Sequence, residues 1–205
     1  MKIYRDRIKR WIDVGVSLIG IIITSPIFII TAAAIKLDSP GDILFKQKRI
    51  GYHGEEFTIY KFRSMCMDAE KKGSGQYSFK GDPRVTRVGR VIRATSIDEL
   101  PQFFNILKAD MSLIGFRPPL TYHPWPIEQY TNEQRKMFSV RPGVTGWAQV
   151  HGRKEVQWED RIRMGVWYAE HVSFWLDVKI LLMTVVKVLS NANNENTVIT
   201  TNRDD

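Results

Sequence analysis

Residues 14–35 carry no charged side chain, and this run constrains the fold more than any other stretch of the chain. A helix needs about 20 apolar residues to cross the hydrocarbon core of a bilayer. Cleavable signal peptides have shorter apolar cores, and no small-residue cleavage site followed by a secreted domain is apparent here. We therefore expect a helix that is retained in the protein and enters a membrane.

The pair Ser25-Pro26 falls in the middle of this apolar run. Proline removes one hydrogen bond inside a helix and crowds the preceding turn, so we expect a kink there. Each arm is then about 17 Å long, too short to cross about 30 Å of hydrocarbon if the kink is sharp. A helix bent in this way enters and leaves by the same membrane face. A kinked spanning helix is the alternative, because membranes tolerate proline in such helices.

Positive charges stand on both sides of the apolar run, and the positive-inside rule places both groups in the cytoplasm. A re-entrant helix satisfies that rule, whereas a single span does not. The cations before the run are Lys2, Arg5, Arg7, Lys9 and Arg10, and those after it are Lys36, Lys46, Lys48 and Arg49.

The net charge of +8 over 205 residues favours anionic partners, which include phosphorylated small molecules, an anionic membrane surface and nucleic acid. The single cysteine, Cys66, rules out an intramolecular disulfide, and one cysteine with four scattered histidines offers no zinc-ligand cluster. Any metal would be a hard ion bound by oxygen. P-loop, Rossmann, nucleophile-elbow and nucleic-acid-reader motifs are all absent from the sequence, so we expect no nucleic-acid partner.

The predicted fold class is α+β and mainly helical, with the membrane helix, a small β-hairpin and interfacial amphipathic helices. Residues 43–50 and 56–62 favour β structure and flank a glycine-containing turn, which is typical of a hairpin. The predicted domains are a re-entrant membrane helix with its basic flank over residues 1–37, a catalytic domain over residues 38–190 and a polar tail over residues 191–205.

A long helical element is predicted over residues 161–189, with a break near His171. Its aromatic residues are of the types that settle at membrane–water boundaries, and charges interrupt its apolar second half. That half is too short and too charged to span a membrane. It either lies in the interface plane or packs as an ordinary core helix. The aromatic residues are Trp167, Tyr168, Phe174 and Trp175, and the charged ones are Asp177, Lys179 and Lys187.

Two adjacent carboxylates, Asp98 and Glu99, stand beside an expected helix start. Ser96 and Glu99 have the spacing of a capping box, and Pro101 suits the first turn of a helix, so we expect the helix to begin close to Asp98. Free backbone N–H groups there favour an ionised carboxylate, which can attack phosphorus or hold a metal. The alternative is structural, because acidic residues are common in first turns simply for helix stability.

Cations surround this acid pair in the sequence. Lys61 and Arg63 leave the end of the second predicted strand, and Arg93 stands one short turn before the pair. Two loops follow, over residues 110–119 with Arg117 and over residues 141–153 with Arg153. Glycines let a backbone approach a ligand closely, and the planar guanidinium of arginine matches phosphate oxygens. The pattern therefore predicts a phosphate-handling cleft.

The ordered set of motifs closely resembles the bacterial sugar transferases, the small monotopic phosphoglycosyl transferases, over about residues 9–182. The motifs that carry the resemblance are Lys9-Arg10-Trp11-Ile12-Asp13, the apolar helix broken at Ser25-Pro26, Gln47-x-Arg49-x-Gly51, Lys61-Phe62-Arg63-Ser64-Met65, Asp82-Pro83-Arg84, Ser96-Ile97-Asp98-Glu99-Leu100-Pro101-Gln102, Ser112-Leu113-Ile114-Gly115, Arg117-Pro118 and Arg141-Pro142-Gly143-Val144-Thr145-Gly146-Trp147. Longer relatives carry additional N-terminal membrane helices, so this chain resembles the minimal catalytic unit.

The resemblance implies transfer of a sugar 1-phosphate from a UDP-sugar to undecaprenyl phosphate, with release of UMP, as the first membrane step of a surface glycan or glycoprotein pathway. It implies that Asp98 is the nucleophile and that Glu99, beside Asp98, holds Mg²⁺. It further implies a catalytic domain on the cytoplasmic face of the bacterial inner membrane, associated with phospholipid, and it leaves a homodimer open. The implied phosphate- or uridine-binding residues are Lys61, Arg63, Arg93, Arg117 and Arg153.

Two positions depart from the pattern of that family. Phe116 stands where a proline commonly precedes Arg-Pro, and His151 stands where an asparagine commonly precedes Gly-Arg. Both lie beside the assigned residues, so they bear on the shape of the sugar pocket more than on the reaction. A membrane-anchored protein that binds polyprenyl phosphate or anionic lipid without chemistry is the alternative function, although such a protein has no need of the acid pair.

Overall fold

The computed structural model describes residues 3–73, 75, 78–79, 81–152 and 157–189. The helices in this part of the chain are α1 Lys9–Asp38, α2 Arg87–Ala94, α3 Gln102–Leu107, α4 Asn132–Arg135, α5 Trp147–Val150, α6 Trp158–His171 and α7 Phe174–Leu189. The strands are β1 Leu44–Ile50, β2 Glu56–Phe62, β3 Ser112–Ile114 and β4 Gly143–Thr145. The architecture is mostly helical with very small sheets, which confirms the coarse fold prediction.

The predicted hairpin is confirmed. Strands β1 and β2 pair antiparallel, with Leu44 opposite Phe62 and Ile50 opposite Glu56. Alternate side chains of β2 point inward, so Phe57 and Ile59 are buried against α3 and the segment that follows it. The hairpin thereby carries the end of β2, where Lys61 lies, towards the segment that contains the acid pair.

Strands β3 and β4 form a parallel pair within two segments that the sequence pattern predicts as loops. Glycine makes this pairing sterically feasible, because a Cβ atom on Gly146 would lie only 1.8 Å from the backbone oxygen of Gly115. A Cβ atom on Gly143 would lie 2.1 Å from the Gly115 nitrogen. The sequence pattern predicts that these glycines admit a ligand, but the close approach that they permit is between two backbones.

Helix α1 runs without a break through Pro26. Proline has no N–H to donate to the carbonyl of Ile22, and the neighbouring Ser25 hydroxyl donates to that carbonyl instead, at 2.8 Å. Within the described residues, Tyr4–Asp38 is the one helical stretch long and apolar enough to cross a membrane by length and composition. The Ser-Pro pair therefore places proline inside an apolar helix without leaving this acceptor unsatisfied.

The N-terminal half of α1 is bound to the rest of the molecule by polar contacts. The Lys9 ammonium lies 2.6 Å from the Asp177 carboxylate of α7, and the Arg10 guanidinium donates to the carbonyl of Ile106, near the end of α3, at 2.6 Å. The buried Asp13 accepts a hydrogen bond from the backbone N–H of Leu113 at 3.0 Å. These contacts fix the start of α1 against α3, β3 and α7.

The C-terminal half of α1 packs on the same body through apolar contacts. The ring of Phe28 lies 5.3 Å from that of Phe62 on β2, and Ile35 is buried with Phe62 and Ile92 of α2. Gly20, before the proline, lies against the ring of Phe103 on α3. Helix α1 therefore contacts α3 before Pro26, and it contacts the hairpin and α2 after Pro26.

The outward faces of α1 and α7 expose large apolar side chains. On α7, Ile180 and Asp177 are buried, whereas the opposite face is open. The separation of α6 from α7 after His171 agrees with the predicted break. The exposed side chains include Trp11, Ile19, Ile22, Ile23, Ile29 and Ile30 on α1, and Phe174, Trp175, Leu182, Val185 and Val186 on α7.

Candidate active site

The acid pair lies in a 3-10 turn, Ile97–Glu99, between α2 and α3. Ser96 adopts a left-handed backbone conformation with φ 59°, and its side chain makes no capping hydrogen bond. Helix α3 begins at Gln102, with Pro101 in the cap position. The predicted capping box is therefore wrong, because the Ser96 side chain makes no capping hydrogen bond. The helix start close to Asp98 is present as a 3-10 turn, and regular α-helix begins only at Gln102.

The pair faces a cleft of about 550 Å³. The residues that line this cleft include members of β2, α2, the acid-pair turn, the Arg117 loop, β4, α5, α6 and α7. Their ionisable members include Lys61, Arg93, Asp98, Glu99, Arg117 and Arg161. The structure thus brings Lys61 and Arg117, which are distant in the sequence, together with Arg93 and the two carboxylates.

Glu99 forms an ion pair with Lys61, whose ammonium lies 2.6 Å from Oε1. The side chains of Lys61 and Glu99 are 20% and 31% exposed, so solvent reaches the pair only in part. Lys61 is fixed near the end of β2 by the hairpin, and Glu99 is fixed by the turn that follows α2. The contact therefore places a positive charge directly beside the nucleophile candidate, Asp98.

Burial raises the pKa of the Asp98 carboxyl to about 6, and the charge of Glu99 adds to the rise. The positive charges of Lys61 and Arg93 act in the opposite direction but do not cancel the effect of burial. The sequence pattern favours an ionised Asp98 because of the helix start, and this direction is wrong. The acid pair lies in a turn before α3, where loss of water outweighs the favourable charges.

Arg93 contributes a half-buried guanidinium to the same cleft. Among the residues that the structure describes, its Nη1 atom has no hydrogen-bond partner. Burial lowers the pKa of Arg93, and the nearby charge of Asp98 partly offsets that effect. A buried donor without a partner is costly, so an anion in the cleft would find this nitrogen available.

Arg63 lies apart from these groups. Its side chain is buried, and its guanidinium donates to the carbonyls of Ser39 and Pro40 at 2.8 and 2.5 Å. This geometry holds the chain that leaves α1, and a substrate contact for Arg63 stays a prediction. Arg153 and the polar tail over residues 191–205 lie outside the described residues.

Arg161, which was not predicted as a site residue, also lines the cleft. Its guanidinium lies over the ring of Trp158, 5.0 Å from the ring centroid. Burial lowers the pKa of Arg161 to about 10, and the charge of Arg117 contributes to the shift. In the sequence Arg161 is one basic residue in the first turns of a predicted helix, so only tertiary packing reveals its place.

The two departures from the family pattern do not line the cleft. Phe116 is buried, and its ring meets that of Phe138 edge to face at 5.4 Å. The backbone of Gly165 leaves room for it, because a Cβ atom there would lie 3.3 Å from the Phe116 Cβ. His151 is exposed, and its Nδ1 lies 2.8 Å from the carbonyl oxygen of Trp147. Both residues therefore act on the surrounding structure rather than on the cleft wall.

Asp177, another charged residue noted in the sequence, is a buried structural group. It is 5% exposed and accepts hydrogen bonds from the hydroxyls of Tyr168 and Tyr4 at 2.6 and 2.7 Å. Together with Lys9 these groups connect α1, α6 and α7. Asp177 is not among the residues that line the cleft.

A long apolar helix is packed on a small body, and the cleft of that body sets two carboxylates among several cations. The sequence model of the bacterial sugar transferases matches residues 4–191, and the chain belongs to that family.

Characterised and uncharacterised relatives share much of the sequence. The uncharacterized sugar transferase EpsL of Bacillus subtilis is 43% identical over 182 residues, which cover 89% of this chain and 87% of EpsL. The UDP-glucose:undecaprenyl-phosphate glucose-1-phosphate transferase of Caulobacter vibrioides is 41% identical over 92% of this chain and 72% of that protein. The UDP-N-acetylgalactosamine-undecaprenyl-phosphate N-acetylgalactosaminephosphotransferase of Aeromonas hydrophila is 46% identical over 89% of this chain, but the match spans only 44% of that protein.

Proposed function

We propose that this protein is a phosphoglycosyl transferase, which moves a sugar 1-phosphate from a UDP-sugar to undecaprenyl phosphate and releases UMP. The relatives from Caulobacter vibrioides and Aeromonas hydrophila are named for this type of transfer. The observation that carries the proposal is the position of Asp98, which faces the cleft between Arg93 and the Lys61–Glu99 pair. The product would start a surface glycan or glycoprotein pathway.

The proposed reaction has two steps at one phosphorus atom. In the first, a carboxylate oxygen of Asp98 attacks the phosphorus that bears the sugar, and the bond from that phosphorus to the UMP oxygen breaks. UMP leaves with the bonding electrons, and a phosphosugar remains on Asp98. In the second, a phosphate oxygen of undecaprenyl phosphate attacks the same phosphorus. The bond to Asp98 then breaks and the carboxylate is regenerated.

The surrounding groups suit this chemistry. Phosphoryl transfer depends mainly on positioning and on neutralisation of the charge that spreads over the phosphate oxygens. Lys61 and Arg93 supply positive charge beside Asp98. The burial that raises the pKa of Asp98 also removes water from its carboxylate, so the ionised form is a stronger nucleophile than an exposed aspartate.

We include Mg²⁺ in the proposal, held by Glu99 with Asp98. No group of three or more His, Cys, Asp or Glu side chains converges among the described residues. Two adjacent carboxylates fit Mg²⁺ nonetheless, because this ion commonly takes one or two protein carboxylates and completes its shell with water and substrate phosphate. When bound, Mg²⁺ would neutralise charge on the diphosphate. Glu99→Gln should therefore weaken the response of activity to Mg²⁺, and an unchanged titration would contradict this role.

We further propose that α1 is re-entrant and that the cleft faces the cytoplasmic side of the bacterial inner membrane. The support is that both halves of α1 contact one compact body. The half before Pro26 contacts Asp177 and Leu113, and the half after it contacts Phe62 and Ile92. A spanning helix would separate these contacts by about 30 Å of hydrocarbon. The exposed apolar faces of α1 and α7 suit burial in the bilayer and at its interface, respectively.

Membrane topology can be measured with single cysteines placed at Arg7 and Lys46 after Cys66 is replaced by serine. We expect an impermeant maleimide to label both sites only when sealed cells are opened. Labelling of one site in sealed cells would show that α1 spans the membrane.

The activity can be tested with membranes that contain the protein, undecaprenyl phosphate, Mg²⁺ and a panel of UDP-sugars, with UMP release as the readout. Asp98→Asn should abolish UMP release and leave membrane association intact, whereas Asp160→Asn, at an exposed ion pair, should retain activity. Full activity of Asp98→Asn would exclude the proposed nucleophile. Binding of undecaprenyl phosphate without UMP release from any UDP-sugar would favour the lipid-binding alternative.

A further inference from the structure

Arg49 is fixed against the segment that carries Arg117. Its backbone pairs with that of Leu120 in an isolated antiparallel bridge, and its Nη1 donates to the carbonyl of Pro118 at 3.1 Å. The next residue, Ile50, donates from its backbone N–H to the carbonyl of Pro119 at 3.0 Å. The first strand of the hairpin thus holds the loop and brings a second arginine beside Arg117.

Arg161 approaches the same place from α6. Arg161 and Arg117 both line the cleft. The guanidinium of Arg161 is oriented by its contact with the Trp158 ring, and that ring meets His123 edge to face at 5.5 Å. An arginine that stacks on an aromatic face keeps its N–H groups in one plane, which is the geometry that phosphate oxygens accept.

Arg117 lies close enough to Arg49 and to Arg161 to repel both guanidinium groups. Burial lowers the pKa of Arg49 to about 10, and Arg117 is the next largest cause. The same two causes, in the same order, lower the pKa of Arg161 to about 10. Within the described part of the chain, the Nε of Arg49 is buried and has no hydrogen-bond partner. Like charges held together at partial burial are unfavourable, and a bound anion would relieve the repulsion.

The cations of the cleft differ in the groups that they act on. Lys61 and Arg93 act on Asp98, whereas Arg161 lines the cleft together with Arg117, which is its nearest cationic influence. Arg49 is not among the residues that line the cleft, and it contacts the loop that carries Arg117. A nucleoside diphosphate sugar also has two phosphates with different fates. One bears the sugar and would be attacked by Asp98, and the other remains with the nucleoside as it leaves.

We propose that Arg117 and Arg161 form the site for the phosphate that stays with uridine, so that these two arginines bind the leaving UMP while Arg49 holds the loop that carries Arg117. The assignment rests on the proposed function for the identity of the nucleotide. It adds Arg161 to the substrate-binding residues, makes Arg49 a positioning residue for the Arg117 loop, and divides the cleft into a reacting phosphate site and a leaving phosphate site.

The direct test measures binding of UMP to the full chain in detergent by calorimetry, with uridine as the uncharged comparison. Arg161→Gln should weaken UMP binding by about 10- to 100-fold, the range expected for loss of hydrogen bonds from a charged group. Arg163→Gln is the matched control on the same helix, because the Arg163 side chain is 79% exposed and pairs with Asp160. It should bind UMP as the wild type does.

Wild-type affinity for UMP in a folded Arg161→Gln variant would overturn the proposal, as would an equal loss in Arg163→Gln. Should Arg161→Gln lower the unfolding temperature, Arg161→Lys gives the same comparison, because it keeps the charge and loses the planar guanidinium. We expect Arg161→Lys to match the wild type and the Arg163→Gln control in stability and fold. We expect it to bind UMP less tightly than both.

The two half-reactions separate this site from an acceptor site. Without acceptor, Arg161→Gln should raise the KM for UDP-sugar in the burst of UMP. Discharge of the isolated phosphosugar enzyme by undecaprenyl phosphate should proceed at the wild-type rate. Slower discharge with an unchanged burst would assign the arginines to the acceptor phosphate and overturn the proposal.

The outcomes also distinguish this inference from the proposed function. A wild-type protein that binds UMP through Arg161 but never turns over would retain the arginine site and lose the transferase assignment. A protein that turns over normally while Arg161→Gln binds UMP with full affinity would keep the transferase assignment and lose the arginine site.

Discussion

Lys61 and Glu99 lie 2.6 Å apart, and this ion pair joins the end of β2 to the turn that carries Asp98. Lys61 is also the strongest of the charges that lower the pKa of Asp98. A single ammonium therefore neutralises one carboxylate of the pair and favours ionisation of the other. The hairpin positions the charge that the buried nucleophile candidate requires.

Replacement of Lys61 should move the acid limb of the activity profile. In Lys61→Met the pKa of Asp98 should rise above about 6, because burial and Glu99 would act with less opposition. The pH dependence of kcat/KM reports the free enzyme, so its acid limb should shift to higher pH. Lys48→Met is the control, since Lys48 is exposed and lies 3.9 Å from Glu56. A profile unchanged from the wild type would show that Lys61 does not control Asp98.

The sequence pattern predicts the elements that depend on local periodicity and turn chemistry. The hairpin, the apolar helix and the break between α6 and α7 are of this kind, and all three are present. The β3–β4 pair is not predictable in this way, because each strand has three residues and its partner lies far along the chain. The same limit applies to Arg161, whose place in the cleft depends on how α6 packs.

The acid pair shows where local reasoning gave the wrong direction. Ser96, Glu99 and Pro101 have the spacing of a helix start, and the chain does begin a 3-10 turn at Ile97, but Ser96 does not cap it and α3 begins only at Gln102. Asp98 lies in this half-buried turn, and burial of its carboxyl is the main influence on its ionisation. Burial is a property of the assembled cleft, so sequence spacing carries no direct signal of it.

The stability of the protein should depend on pH through Asp98. The pKa of Asp98 in the folded protein, about 6, lies above the ordinary value of 3.8. Protonation of Asp98 therefore stabilises the folded state fully below about pH 4, and this stabilisation is lost as the pH rises through about 6. Asp98→Asn should therefore be more stable than the wild type at pH 7.5, by no more than about 3 kcal/mol. The difference should shrink as pH falls towards 4. Thermal unfolding at several pH values measures this, and a less stable variant at pH 7.5 would contradict the raised pKa.

Asp177 should contribute more to the stability of the protein than to binding or catalysis in the cleft. Asp177→Asn leaves the buried ammonium of Lys9 without its counter-charge, and breaking one side of a buried pair typically costs about 3–5 kcal/mol. The exposed pair of Asp160 and Arg163 provides the control, since Asp160→Asn should cost less than about 1 kcal/mol. Unfolding in detergent measures the stability of the two variants. Equal stability would show that the buried network makes no net contribution to the free energy of unfolding.

The meeting of the two loops at β3 and β4 can be tested with alanine at Gly146. A Cβ atom there would lie 1.8 Å from the backbone oxygen of Gly115, so the loops that carry Arg117 and Thr145 must move apart. Because backbone cannot yield as a flexible side chain does, we expect a loss of about 1–3 kcal/mol, similar to other overpacked sites. Gly15→Ala is the matched control, since a Cβ atom there meets nothing within 4 Å and alanine favours a helix by about 1 kcal/mol. Gly146→Ala should also raise the KM for UDP-sugar, because the cleft residues Arg117 and Thr145 lie on the displaced segments. Equal unfolding temperatures for the two variants would show that the loops accommodate the extra atom without separating.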